Sequence, residues 1–480
     1  MNTSPEIESF IRDYVKHLSE GNAAIFAGAG LSRGAGFVDW KELLREIAKD
    51  LGLNIDDEYD LISIAQYHVN DRGRDKIKNK ILSEFSDEED LTPNHKILAR
   101  LPINTYWTTN YDQLLERALK EEHKIVDTKY TIDQLLTTRP RRDAVIYKMH
   151  GDVNHPADAV ITKEDYQVYH YTHEPFITLL NGDLLSKNFL FLGFSFTDPN
   201  LEYVLSRVKL RHGKQARTHY CFIRKHRASD SDCPNEATLA YKLQKQKLFV
   251  DDLRRYQIKA LLIDDYDDIT EILREIETRF KKRTVFISGS AADYGRMDQQ
   301  QAQGFIHNLS KALIKAGYRI VNGFGWGVGS AVINGALEAI YERPDKYTDD
   351  QLIMRPFPQF KTGAKELPEL WTEYRQRMIA EAGVAVYVFG NKLQDGQLID
   401  APGVHEEFEI AKAQGVTAVP IGSTGFMTEQ IYREVVSEYS AALFQQHSDL
   451  AAMYSEIGDS DRSDAKTIQS VINIITKLQD

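Results

Sequence analysis

Two cysteines, Cys221 and Cys233, are all that the 480 residues contain. A disulfide framework is therefore excluded, and two thiols do not supply the four that an all-thiolate structural zinc site needs, so no metal is expected. Such sparing use of cysteine fits a reducing compartment, and a cytoplasmic location is the expectation. Long apolar runs are missing too. The most apolar stretch, NFLFLGFSF (188–196), is far too short to span a bilayer and reads as a buried strand. The opening residues, MNTSPEIESFIRDY, have no basic segment followed by an apolar one, so neither a secretory signal nor a membrane partner is expected. Positive charge is in short supply, with 59 Lys and Arg against 71 Asp and Glu and a net charge of -12. That balance argues against a general nucleic-acid binder, because neutralising phosphates requires a cationic face.

What is present is the composition of a globular chain, 42% hydrophobic and 27% charged, and too long for one ordinary core. Strand-like runs alternate with helical patterns. AAIFAGAG reads as a buried strand ending in a glycine turn, and WKELLREIAKDLGL as the helix after it. INTYWTTN, AVIYKMHGD, FLFLGFSFTD and THYCFIRK read as further strands, and YDQLLERALK as a helix. After the charged helical stretch DDITEILREIETRFKKR the pattern restarts with TVFISGSAADYG. The expected fold is α/β, with two Rossmann-like domains, residues 1–283 and 284–480, each a mainly parallel sheet flanked by helices.

Glycine clusters at the first strand end, in GAGLSRGAG (28–36). Glycines between a strand and a helix let backbone N–H groups approach a pyrophosphate. The spacing is G-x-G-x-x-x-G, however, and the acidic residue a dehydrogenase needs about twenty positions on would be Asp50, at a helix end rather than a strand end. A tight turn without a ligand is the plain alternative. Two other strand ends carry polar residues, WTTNYD (107–112) and KMHGD (148–152), and such ends converge on one crevice in an open sheet. Singly, Asn110 can be a helix N-cap, Asp112 a complement to the helix dipole, and His150 a hydrogen-bonded core residue.

Taken together, the order GAG-x-S, T-x-N-x-D, HG and G-x-S resembles the sirtuin-type NAD-binding domain across roughly the first 280 residues. The resemblance implies NAD+ as substrate, bound by Gly28, Ala29, Gly30, Ser32, Asn110, Asp112, His150, Gly193 and Ser195, with Asn110 and His150 catalytic. The loop from Ser32 through Trp40 would close over it. Protein-deacylating sirtuins carry two C-x-x-C pairs, which this chain lacks, and no segment matches the one that aligns an acyl-lysine peptide. Water is then the acceptor, and the expected reaction is NAD+ glycohydrolysis. The nicotinamide–ribose bond breaks through an oxocarbenium-like state, His150 takes a proton from a ribose hydroxyl or the attacking water, and Asn110 holds that group.

The second half has glycine-rich strand ends at FISGSA (286–291) and NGFGWGVGS (322–330), and Pro-Gly at the mouth of a helix in APGVHEEFEIA (401–411). No G-x-x-x-x-G-K-[ST] occurs, so this is not a P-loop ATPase. These features resemble the SLOG superfamily, related to cytokinin-activating LOG enzymes. The LOG run PGG-x-GT-x-x-E is reduced here to PGVHEE, which favours a ligand sensor over a phosphoribohydrolase. A sirtuin-like domain followed by a SLOG domain is similar to the NADase effectors of bacterial Thoeris antiphage systems. That resemblance implies a homotetramer, activated when a cyclic ADP-ribose isomer made by a TIR-domain partner binds the C-terminal domain. It places Arg375 and Lys392 on the signal's phosphates, Glu407 on a ribose hydroxyl, and Gly289, Ser290 and Gly403 where the backbone comes close. On sequence alone those charges read equally as solvated surface groups. Trp326 and Phe357 can stack on adenine or pack in the core, His405 lies near the pocket mouth, and Cys221 reads as a small buried residue. A protein deacylase and a non-catalytic NAD-responsive module are the alternative readings.

Overall fold

The structure is a computed structural model that describes residues 4–86, 89–212, 217–361, 363, 365–438 and 449–479. The chain divides into two compact units, Met1–Glu277 and Thr278–Asp480.

The first unit is built on a seven-stranded parallel sheet: β1 (Ala23–Ala27), β2 (Thr105–Thr108), β3 (Val126–Lys129), β4 (Ala144–Lys148), β5 (Asn188–Leu192), β6 (His219–Arg224) and β7 (Ile258–Ile263). Their order across the sheet is β3-β4-β2-β1-β5-β6-β7. Every residue of β1 and β5 is buried, because helices cover both faces and a central parallel strand has no polar side. Helix Pro5–Ser19 contributes Phe10, Tyr14 and Leu18, and helix Glu174–Ser186 contributes Phe176, Leu180 and Leu184. The chain leaves β1 toward β2 and leaves β5 toward β6, in opposite directions. The carboxyl ends of these two neighbouring strands therefore frame the switch point at which such sheets bind ligands.

Two helices differ from the sequence expectation. WKELLREIAKDLGL is broken into Trp40–Leu43 and Arg45–Asp50, with Leu44 between them at φ -92, ψ 0. Leu43, Leu44, Ile47 and Ala48 still share one buried face, so the break leaves no trace in the apolar periodicity. The helix expected from Tyr111 starts only at Leu114, where the Asp112 carboxylate accepts the Leu114 N–H at 3.0 Å ahead of the N-cap Gln113. The short edge strands β3 and β7, mixed in polarity, had no sequence counterpart.

The second unit carries a five-stranded parallel sheet of β8 (Thr284–Ser290), β9 (Arg319–Asn322), β10 (Leu352–Met354), β11 (Val384–Phe389) and β14 (Thr417–Pro420), in the order β10-β9-β8-β11-β14. Helices Gln299–Lys315 and Gly329–Glu342 pack closely at Gly335, where a Cβ would lie 2.1 Å from the His307 carbonyl oxygen. An antiparallel hairpin, β12 (Asn391–Gln394) and β13 (Gln397–Asp400), was not anticipated. Among the described residues no helix is long and apolar enough to cross a membrane.

Candidate functional site

The glycine turn after β1 closes against the turn after β5. Gly28 N–H donates to Leu192 O at 2.9 Å, and Gly30 N–H to Gly193 O at 2.9 Å. Both glycine amides are thus engaged within the protein in this state. Gly193 sits at φ +63, and a Cβ there would fall 2.1 Å from Leu31 N. Gly193→Ala is therefore expected to cost at least about 1–3 kcal/mol of stability from backbone strain alone. An unchanged unfolding midpoint in that variant would contradict the tight closure. Gly30 and Ala29 open the short helix Ala29–Arg33, which buries Leu31 and Ser32.

Ser32 joins Asn110 and Asp112 in one network. Ser32 Oγ donates to Asp112 Oδ2 at 2.7 Å, and Asn110 Nδ2 donates to Ser32 Oγ at 2.9 Å and to Gly28 O at 3.1 Å. Gly28 O only accepts, so the amide nitrogen of Asn110 must point inward, and both of its hydrogens are used. Among the described residues the Asn110 oxygen accepts no hydrogen bond. Asn110 does not cap the following helix, whose N-cap is Gln113. The Asp112 carboxylate accepts the Leu114 N–H at the helix start and the Ser32 hydroxyl, a partner not anticipated for it.

Beneath this network is a buried ion cluster that sequence reasoning missed. Lys148, at the end of β4, has a fully buried ammonium 2.6 Å from Asp152 Oδ2 and 3.3 Å from Glu116 Oε1. It also donates to the carbonyls of Tyr111 (3.1 Å) and Asp112 (2.5 Å), which fixes the backbone on which Asn110 and Asp112 sit. Burial alone would push this ammonium down, and Glu116 and Asp152 hold it above its ordinary value. His95 lines the same space as Ser32, Asn110, Asp112 and Glu116.

His150 follows β4 by two residues, as Asn110 follows β2, and these strands are paired at Thr108 and Lys148. The imidazole is 1% exposed. Its Nε2 lies 3.2 Å from Asp198 Oδ2, and Tyr166 packs edge-on with ring centroids 5.4 Å apart. Trp40 in turn packs on Tyr166, so the loop from the glycine turn reaches the ring that covers His150. Burial raises the Asp198 acid, but the His150 imidazole beside it and the Leu201 N–H leave it below the usual carboxylate range. Asp198 closes the strand-like run FLFLGFSFTD and was not singled out there. Its signal was the Asp-Pro step that caps a helix, here Pro199–His212. Ser195 is exposed, bonds Thr197 at 2.8 Å, and stands apart from the Asn110 network. The Cys221 thiol is pushed up to about 12 by burial, as suits an inert core residue.

In the second unit the structure brings Arg375, Gly403 and Glu407 together. Arg375 donates through Nη1 to Glu406 at 2.8 Å and through Nε to Glu407 at 3.4 Å, over the Phe357 ring at 5.0 Å. A Cβ on Gly403 would meet Arg375 Nη2 at 2.7 Å. Glu407 lies in the second turn of helix Pro402–Ala413 rather than the first, and accepts from Ser288 Oγ at 2.6 Å. Burial pushes its carboxyl up. Gly289 and Ser290 end β8, where Ser290 Oγ bonds Asn391 O at 3.0 Å. Lys392 is exposed on β12, and Trp326 is 83% exposed. His405 is exposed as well.

Among the described residues two groups of donor atoms come within 4.8 Å of one another, His226 with Asp230 and Cys233, and His405 with Glu409 and Glu434. In the first, Arg224 already spans both Asp230 oxygens, and in the second Lys412 bonds Glu434.

A family model described as a SIR2-like domain matches residues 104–248, and one described as the Sir2- and TIR-associating SLOG family matches residues 268–478. The chain is 47% identical over 480 residues to a protein of Bacillus cereus (strain MSX-D12) named NAD(+) hydrolase ThsA, covering 100% of this chain and 99% of that one. Proteins of the same name from Cytobacillus dafuensis and Enterococcus faecium are 45% and 38% identical, each covering 98% of this chain and 97% and 98% of their own lengths.

Proposed function

We propose, from the premise that this chain belongs to the ThsA family of NAD(+) hydrolases, that it splits the nicotinamide–ribose bond of NAD+ with water and does so under control of a nucleotide signal. The products are nicotinamide, ADP-ribose and one proton. The observation that carries this reading is the Asn110 amide, whose two hydrogens are spent on Gly28 and Ser32 while its oxygen stays free at the sheet's switch point. That oxygen accepts from a ribose hydroxyl or from the attacking water. His150, oriented by Asp198, takes the proton as the oxocarbenium-like centre is captured. The crevice between β1 and β5 holds the dinucleotide, with the Ser32–Trp40 loop closing over it.

The second unit is read as the sensor. Its signal is a cyclic ADP-ribose isomer made by a TIR-domain partner enzyme. Arg375 and Lys392 meet the phosphates, Glu407 a ribose hydroxyl, and the backbone at Gly289, Ser290 and Gly403 comes close to the ring. The nearly complete burial of His150 supports a site that opens only when the signal binds one arrangement better than the other. NAD+ depletion then serves antiphage defence in the cytoplasm. Self-association into a tetramer is supported by helix Glu236–Leu253, which buries Leu253 and leaves Tyr241 and Leu248 exposed.

The test is chromatography of NAD+ incubated with the chain, with and without cyclic ADP-ribose isomers and with no acyl-peptide. Free nicotinamide and ADP-ribose, increased by one isomer, is the expected result. NAD+ left intact under all conditions points instead to a module that only binds, and cleavage that needs an acyl-peptide to a deacylase. Arg375→Ala is expected to raise the activating concentration of that isomer by about tenfold or more, since a charge-assisted contact is worth roughly 1.5–3 kcal/mol. Activation unchanged in Arg375→Ala would remove this pocket from the scheme.

A further inference from the structure

Tyr166 touches both members of the His150–Asp198 pair, through different atoms. Its hydroxyl donates to Asp198 Oδ2 at 3.3 Å, the same oxygen that lies 3.2 Å from His150 Nε2. An ionised carboxylate only accepts, so the direction of that bond is fixed. Burial pushes the phenol well above its ordinary value, and the proton it donates stays on it. Asp198 Oδ1 accepts the Leu201 N–H at 2.9 Å, and with each oxygen bonded the carboxylate has one setting. The Tyr166 ring stands edge-on to the imidazole with centroids 5.4 Å apart, and edge-on to Trp40 at 6.3 Å. The helix that carries it, Lys163–Thr172, is pinned at its start. Thr162 and Asp165 form its capping box, and Arg74 spans both Asp165 oxygens at 3.0 Å. Tyr169, three residues on and hence on the same helix face, donates at 3.0 Å to the carbonyl of Met149, the residue before His150.

We propose that Tyr166 is a positioning residue for NAD+ cleavage: its hydroxyl holds Asp198 Oδ2 toward the His150 imidazole, and so keeps that imidazole where it can take the proton from the ribose hydroxyl or the attacking water. The inference rests on the NAD+ hydrolase reading with His150 as base, and deepens it. Without the hydroxyl, among the described residues only the Leu201 N–H still donates a hydrogen bond to the carboxylate, and Oδ2 is free to swing away from Nε2. No atom assigned to NAD+ is lost with it. The expected signature is therefore a fall in kcat with KM little changed.

The experiment measures kcat, KM and melting temperature of the full chain for Tyr166→Phe, Asp198→Asn, the two combined, and the control His150→Ala. It uses NAD+ and the cyclic ADP-ribose isomer that activates the parent chain. Phenylalanine keeps the ring beside the imidazole and Trp40 and removes the hydroxyl alone. Tyr166→Phe is expected to lose about 3- to 10-fold in kcat, the worth of one hydrogen bond. In the Asp198→Asn background, where the carboxylate charge is gone, the same change is expected to cost less than about twofold further, because it acts through Asp198. A Tyr166→Phe chain with the parent's kcat beside an inactive His150→Ala, equal losses in the two backgrounds, or a loss confined to KM overturns the proposal and leaves the hydrolase reading standing. Should Tyr166→Phe fail to fold, the same cycle with Tyr166→Met decides. His150→Ala as active as the parent overturns the base assignment and the proposal with it. A parent chain that never cleaves NAD+ overturns the hydrolase reading as well.

Discussion

His150→Ala should lower NAD+ turnover by about 10²- to 10⁴-fold, the usual worth of a positioned general base, while the chain stays folded. The imidazole touches Asp198 through Nε2 and is boxed in by Tyr166, so it has one orientation and one carboxylate partner. Removing the ring removes the proposed proton acceptor but none of the hydrogen bonds that hold Asn110. NAD+ affinity, measured by calorimetry, should therefore change far less than turnover. Asp198→Asn should give a smaller loss, because the ring remains and only its orientation and its stabilising charge are weakened. Turnover in His150→Ala equal to that of the parent would assign the base elsewhere.

Lys148→Met should destabilise the first unit by about 3–5 kcal/mol, the cost of breaking a buried ion pair from one side. Asp152 is buried with Lys148, and the ammonium also satisfies two backbone carbonyls. Methionine fills the volume but leaves the Asp152 carboxylate without its counter-ion and the Tyr111 and Asp112 carbonyls without their donor. Adding Asp152→Asn to Lys148→Met should recover part of the loss, since the stranded charge is then gone. Denaturant unfolding of the three chains measures both effects. A Lys148→Met chain as stable as the parent would mean that the cluster contributes little. Activity should fall as well, because the strand end that carries Asn110 loses its anchor.

The strand ends were legible because they join apolar runs to glycine or polar residues, and such junctions keep their meaning whatever the fold around them. GAGLS, Asn110 and His150 could be singled out on that basis. Lys148, Asp152 and Glu116 could not. In a sequence these are ordinary charges, and charged residues are solvated far more often than buried. Ser32 and Asp112 are 80 positions apart, and nothing local announces that one will donate to the other. His95 carries no signal in the sequence, and its burial beside Ser32 and Asp112 is a property of what surrounds it. In the second unit Arg375 and Glu407 were named, but their mutual ion pair and the Phe357 ring beneath Arg375 were not.

The sequence by itself determined the α/β alternation, the restart of the pattern after the charged helix, and, through its two cysteines, the lack of an all-thiolate zinc module. Each of these depends on composition or on periodicity along a few turns of chain. The tertiary structure decided which atoms face the crevice. It spent both Asn110 amide hydrogens on Gly28 and Ser32, set Asp198 against His150, and closed the glycine turn onto Gly193. Hydrogen-bond direction depends on partners brought together by sheet order, and sheet order is written in long-range contacts rather than in any single stretch of sequence.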